Sequence, residues 1–125
     1  MTQELNIGKQ KYEAMPNKEQ VFESLEEIRR KFEDPSVKEK FKGFKRDIQF
    51  KFPDLNAQYV LSISEDATAT LKEGFLEKPH VTVETDSATF LGIRSKTISA
   101  TQAYMSGRLK VKGSMPDLLK LQKLM

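Results

Sequence analysis

Between Val21 and Phe32 the apolar positions Val21, Leu25, Ile28 and Phe32 recur at spacings of four, three and four, the period of a helix with one buried face. The stretch Asn17-Lys18-Glu19-Gln20 just before it reads as a capping box, with Asn17 accepting from an orphan amide and Gln20 reaching back. Glu26 with Arg30, and Glu27 with Lys31, are spaced as i,i+4 ion pairs on the wet side of this helix, each stabilising it by about 0.3 kcal/mol. Asp34-Pro35 ends the first helix and starts a second, with Asp34 as N-cap and Pro35 in the first helical position. Val37, Phe41 and Phe44 face inward, and Gly43 is the predicted stop.

From Arg46 the period changes to two. Ile48, Phe50 and Phe52 alternate with Asp47, Gln49 and Lys51, which predicts a strand with one apolar and one wet face. A turn at Pro53-Asp54 and Asn56 leads to a strand through Tyr59, Leu61 and Ile63. Glu65-Asp66 separates that strand from Ala67, Ala69 and Leu71, so the two form a hairpin. A fourth strand follows from Val81 to Glu84, then a short helix starting at Asp86 or Ser87. Ser99 with Gln102 begins another helix, Gly107 ends it, and Arg108 to Lys112 read as a fifth strand. Ser114 with Asp117 caps a terminal helix that tolerates Pro116 in its first turn.

Strands mostly in succession with helices at both ends predict an α+β fold, not alternating βαβ units. At 125 residues this is one domain, spanning 16–125, preceded by a polar stretch, 1–15, without a clear period and read as a loose arm. One feature exceeds what folding needs. The apolar residues of the terminal helix cover more than half its circumference, whereas a helix that only docks on a sheet shows a stripe of roughly 100°. Two apolar neighbours are therefore expected. The second is either a thicker core or dimer interface, or an apolar ligand, for which Met105, Met115 and Met125 supply adaptable walls.

Composition narrows the chemistry. With 38% hydrophobic and 31% charged residues the chain is that of a soluble globular protein, and no apolar run approaches the ~20 residues a membrane span needs. Without cysteine there is no disulfide, thiolate catalysis or thiolate metal site. His80 is the single histidine, which rules out a multi-histidine metal site, and it lacks a serine nucleophile motif nearby. It reads as a structural residue at a strand entrance, and Glu65-Asp66 as a solvated turn. No glycine-rich phosphate loop is present, since Gly107 and Gly113 only flank a strand. Net charge is +3, too weak to argue for nucleic acid, and the aromatics alternate inward where an RNA-binding sheet would expose them. Arg108, Lys110 and Lys112 fall on one side of the fifth strand with Lys120 and Lys123 close behind, either as the guard of an edge strand or as a patch that meets anionic headgroups.

One stretch carries a family resemblance. Ala103-Tyr104-Met105-Ser106-Gly107-Arg108-Leu109-Lys110-Val111-Lys112-Gly113-Ser114-Met115 resembles the signature of sterol carrier protein type 2 domains, a small residue, two large apolar ones, a polar one, then Gly-Lys-Leu-Lys-Ile-x-Gly-Asn-Met. Leu119-Lys120-Leu121-Gln122-Lys123-Leu124 is similar to the family's terminal helix. Val81-Thr82-Val83 with Asp86-Ser87-Ala88-Thr89-Phe90-Leu91 resembles its strand followed by an Asp-Phe-Leu helix, and Ala57-Gln58-Tyr59-Val60-Leu61 fits its second strand. The likeness is specific over about 79–125, extends from roughly residue 18, and does not cover the arm.

The resemblance implies a five-stranded, mostly antiparallel sheet covered by helices and enclosing a hydrophobic tunnel. It further implies a non-catalytic module, without cofactor or metal, that carries a fatty acid, acyl-CoA or sterol-like lipid. By position, Phe90, Leu91, Ile93, Ala103, Tyr104, Met105, Leu118, Leu119, Leu121 and Leu124 fall in the segments that line or cover that tunnel. Arg108, Lys110 and Lys112 would supply transient membrane-surface contact. A monomer or weak homodimer is expected, and the alternative is an interaction module whose apolar C-terminal face pairs with a twin chain or a partner enzyme. Pro116-Asp117 departs from the small residues usual after the family's methionine. The ending Lys123-Leu124-Met125 is not the Ser-Lys-Leu type of peroxisomal address, so a cytoplasmic domain is expected.

Overall fold

The computed structural model describes residues 16–124, so the loose arm predicted for 1–15 lies outside the described residues, as does Met125. Two helices come first, α1 (Lys18–Lys31) and α2 (Pro35–Phe41). Strands β1 (Arg46–Phe52), β2 (Ala57–Ile63), β3 (Ala69–Glu73) and β4 (Val81–Thr85) follow, a 3-10 turn (Pro53–Leu55) linking the first two. Helices α3 (Ser87–Arg94) and α4 (Ala100–Met105), strand β5 (Leu109–Lys112) and helix α5 (Met115–Gln122) complete the order.

The local signals act as their chemistry requires. Asn17 and Gln20 form the reciprocal capping box, each bond 2.9 Å long. Asp34, Asp86, Ser99 and Ser114 each accept a backbone N–H at the start of α2, α3, α4 and α5. Gly43 and Gly107, at φ of +81° and +82°, take the left-handed conformation that lets the chain turn out of α2 and α4.

The predicted ion pairs of α1 form with other partners. Glu26 pairs with Arg29 and Arg30 reaches Glu23, while Glu27 faces Arg94 of α3. The Lys31 ammonium donates to the Leu124 carbonyl beyond α5, a partner that spacing within α1 could not disclose.

The strands form one sheet in the order β3-β2-β1-β4-β5. β1–β2, β2–β3 and β4–β5 are antiparallel, and β1–β4 is parallel, so the expected five-stranded, mostly antiparallel α+β sheet is present. Register explains the core. Leu71, Leu61, Ile48 and Val81 are cross-strand neighbours in one row, and Tyr59, Phe50, Val83 and Val111 in the next, all on one face. Val21, Leu25 and Ile28 of α1, Phe32 just beyond it, Phe41 of α2 and Phe90 of α3 join that face in a single cluster. The Phe90 ring lies edge-on to Phe52 and Phe50, with centroids 5.2 and 6.2 Å away, the geometry aromatic quadrupoles favour.

The opposite face is not uniformly wet. Gln49, expected in water, is fully buried with Val60 beside it. Gly74 to Leu76 cross over it: the Gln49 amide nitrogen lies 3.1 and 3.0 Å from the Tyr59 and Gly74 carbonyls, and its Oε1 accepts the Leu76 N–H at 2.8 Å. Lys51 extends over the Phe75 ring on the same face, 5.5 Å from its centroid. A polar residue in a strand pattern thus serves as an anchor for a connecting loop, because its amide can satisfy a buried donor and acceptors together.

Gln49→Leu keeps the volume but orphans the Leu76 N–H inside the protein, and should destabilise the fold by about 2 kcal/mol. Urea denaturation checks this, with loss of amide-exchange protection beginning at residues 74–76.

Candidate functional site

The segment from Ser87 to Leu124 was singled out by its apolar excess, and its position follows from two polar anchors. Asp54, on the turn after β1, accepts both the backbone N–H and the hydroxyl of Ser87, fixing the first turn of α3. Asp86 caps the same helix through the Thr89 amide and hydroxyl. Burial works against the Asp86 charge, but the Thr89 bonds and the nearby Arg108 guanidinium outweigh it and hold the carboxyl below the usual range.

The ten residues proposed to line or cover a tunnel separate by depth. Phe90, Ala103 and Leu124 are buried, Ile93 is at the margin of burial, and Leu91, Leu118 and Leu121 are half-buried. Leu91, Leu118, Leu121 and Leu124 touch the core cluster that includes Phe90. Tyr104 at 58% exposure, Met105 at 80% and Leu119 at 56% stand largely in solvent, as does Met115 at 65%. The apolar excess of the terminal helix is therefore real. One side of α5 meets the core and another is uncovered.

Of the basic residues singled out, Lys110 and Lys112 are exposed on edge strand β5 and alternate with half-buried Leu109 and Val111. Arg108 precedes the strand, and its guanidinium donates to the Thr89 hydroxyl at 2.9 Å, tying β5 to α3. His80 donates its backbone N–H to the Asp47 carbonyl while its Nδ1 accepts the Asp47 N–H, both at 3.0 Å, extending the β1–β4 pairing. Among the described residues no group of three or more histidine, aspartate or glutamate side chains is placed to hold a metal ion. No helix among them is long and apolar enough to cross a membrane.

Two grooves open beside these helices. One, of about 990 Å³, lies between the start of α1 and α3, with Glu19, Glu23 and Glu27 on one wall and Leu91, Arg94 and Thr97 on the other. The second, of about 760 Å³, lies between α2 and α5. Val37, Phe41, Leu119 and Leu124 give it apolar walls, and Lys31, Lys40, Lys120 and Lys123 surround them.

α5 is held at both ends by groups the sequence did not mark as functional. Near its start Asp117, buried, accepts from Arg46 Nε at 2.8 Å, and this bond holds its carboxyl below the usual range against the opposing effect of burial. Beyond its last turn the Leu124 carbonyl accepts from Lys31, whose own pKa is lowered, chiefly by burial and further by Arg94 and Lys96. Asp117 had an N-cap signal, which pointed to its backbone role; Arg46 and Lys31 had none, because their partners lie 71 and 93 residues away.

A five-stranded mixed sheet with its helical cover, closed by a terminal helix, defines a small α+β domain. The family model of the SCP-2 sterol transfer family matches residues 25–125, and the chain belongs to that family, whose domains bind and transfer lipids. No curated protein matches it. Among solved structures it is similar to the sterol carrier protein domain 2 of Helicoverpa armigera, at 21% identity and a TM-score of 0.67, covering 88% of this chain and 90% of that one. Palmitated SCP2L2 from Aedes aegypti matches at 19% identity and a TM-score of 0.59, covering 81% of this chain and 89% of that one. The stereoselective inverting sec-alkylsulfatase Pisa1 from Pseudomonas sp. matches at 23% and 0.58, over 70% of this chain but 13% of that one. The described chain thus corresponds to a small part of that alkylsulfatase, and these identities establish the fold alone.

Because the Asp117 pKa is lowered on folding, its pairing with Arg46 stabilises the protein fully above the ordinary carboxylate range and is lost as pH falls through the depressed folded-state value. Asp117→Asn should flatten this acid limb. Chemical denaturation between neutral and acid pH tests it, and an undiminished acid limb in the variant would rule out the clasp as its source.

Proposed function

We propose that this chain is a non-catalytic lipid carrier that holds an acyl chain or comparable apolar molecule between the inner face of the sheet and the helices from Ser87 onward. The observation that carries this reading is the construction of α5. It covers the core through Leu118 and Leu121, with Leu124 just beyond its end, and is secured by a polar contact at either end, so it can part from the sheet by breaking few apolar contacts. An acyl chain entering beneath it would replace those contacts at about 25 cal/mol per Å² of apolar area buried. Membership of a lipid-transfer family supports the same reading, as does the palmitate carried by the similar Aedes aegypti protein.

In this proposal Phe90, Ile93 and Ala103 form the inner wall, and Leu91, Leu118, Leu121 and Leu124 form the side that moves. Tyr104, Met105 and Leu119 lie at the outer margin. No cofactor, metal or nucleic acid takes part, and the chain acts in the cytoplasm. As a stand-alone protein it would transfer or present its lipid; as a domain of a larger enzyme it would do so for a neighbouring active site. The exposed Tyr104, Met105, Met115 and Leu119 favour a second reading, in which that surface joins a twin chain or partner protein.

Leu121→Asp places a charge where α5 meets the core and should abolish uptake of a fluorescent fatty acid while leaving most of the sheet folded by circular dichroism. Unchanged uptake would remove α5 as the gate. Native mass spectrometry separates the readings: a monomer that co-purifies with lipid supports the carrier, and a lipid-free dimer with α5 protected supports the interaction module.

A further inference from the structure

The two edges of the sheet are not alike, and the difference points to an interaction surface. β5 closes one edge and β3 the other. In an antiparallel ladder, opposed residues alternate between pairs that exchange backbone bonds and pairs that do not. The Ser64 N–H donates to the Thr68 carbonyl and the Gly74 N–H to the Gln58 carbonyl, so Thr70 and Lys72 are the residues of β3 bonded to β2. The amides and carbonyls of Ala69, Leu71 and Glu73 therefore point away from the sheet, and among the described residues they have no partner.

What can pair with this row is limited by the side chains beside it. Thr70 and Lys72 are exposed on the outer face of the sheet, while Leu71 and Glu73 lie on the helical side, in the rows of Leu61 and Tyr59. A two-fold axis perpendicular to the sheet keeps each face with itself, so a strand paired with its own copy opposes only residues of the same face. About Leu71, this operation sets Thr70 opposite the twin's Lys72 and Ala69 opposite its Glu73. The residues with free backbone groups then oppose one another, Leu71 with Leu71 and Ala69 with Glu73, so each of these pairs can exchange its bonds. On the helical side, Glu73 approaches the start of the twin's strand, where Lys38 donates to the Ala67 carbonyl at 3.2 Å. Phe22, 38% exposed with its ring 5.8 Å from that of Tyr59, adds apolar surface on the same side.

The same operation fails at the other edge. β5 carries Lys110 and Lys112 on its outer face and follows Arg108. Pairing β5 with its copy sets lysine against lysine or against Arg108 in every register centred on a residue from Leu109 to Lys112, and like charges directly opposite are destabilising. β3 has a register free of that conflict, and neither a proline nor a break in its pairing with β2 interrupts it.

We infer that β3 is a self-association edge, through which two copies of this chain pair antiparallel about Leu71 into one continuous sheet with its helices on one side. The contact does not depend on what the interior holds. It lies at the opposite edge of the sheet from β5 and from α4, whose exposed Tyr104 and Met105 belong to the alternative interaction surface. A strand of five residues buries little area, so the dimer is reversible and its population depends on concentration.

Sedimentation velocity of the full chain from about 5 μM to about 1 mM, the range in which a small interface associates, should show a monomer passing into a dimer. At the upper concentration, amide exchange followed by NMR should slow at Ala69, Leu71 and Glu73 and stay unchanged in α5. Thr70→Lys, at an exposed position, sets a like charge against the twin's Lys72 at two symmetry-related contacts and should weaken the dimer roughly 10-fold. Adding Lys72→Glu to that variant makes the facing charges opposite and should restore the affinity, which a variant that had merely lost its fold would not recover. Lys110→Ala with Lys112→Ala should leave the dissociation constant within about two-fold. A chain that stays monomeric at every concentration, as expected if the edge receives a different protein or none, would overturn the inference. So would a dimer whose protection falls on α4 and α5, or one that Thr70→Lys leaves unchanged.

Discussion

Burial of one face of β1 and β2 is the constraint on which the rest of the structure depends. Ile48, Phe50 and Phe52 on one strand, and Tyr59, Leu61 and Ile63 on the other, are all within a few per cent of complete burial. A sheet with such a face is stable only when something apolar covers it. The helices before and after the sheet supply that cover, and Phe90, wedged between α3 and the two central phenylalanines, joins the later helices to the core. Polar contacts position this cover. Asp54 fixes α3, Arg108 ties β5 to it, and Arg46 and Lys31 hold the terminal helix.

The cover is unevenly bound. α1 and the Phe32 that ends it present four residues buried to within 2% exposure, whereas α5 gives half-buried Leu118 and Leu121, an exposed Leu119 and one buried leucine beyond its end. Such an element belongs to the low-stability end of a protein's range of local openings. In the proposed carrier, α5 would be the point of access, and its polar end contacts would return it to one position.

The sequence revealed what depends on near neighbours. Helix starts at Asn17, Asp34, Asp86, Ser99 and Ser114 were legible because a cap and its amide are three residues apart or fewer. The five strands and the β2–β3 hairpin followed from alternation and turn residues. What failed depended on distant partners. Gln49 read as wet because its alternation with Phe50 is sound, and only the return of Gly74–Leu76 across the sheet buries it. Lys31 read as the partner of Glu27 until the end of the chain came to lie beside it. At the candidate site the apolar excess of α5 was visible in the letters. How it divides, with Leu124 inside and Leu119 outside, depends on which side of the helix meets the sheet, and periodicity does not carry that information.

The parallel pairing of β1 with β4 has a consequence for how this molecule forms. β2 meets β1 and β3 across short turns, so that meander can assemble early, with little loop entropy to overcome. β4 must find β1 across the entire meander and its trailing loop, and β5 can add only afterwards. Non-local closure of this kind slows the passage to the native state. A nascent chain would hold the greasy side of its central strands partly bare throughout that delay, an interval in which self-association competes most strongly with completion of the fold.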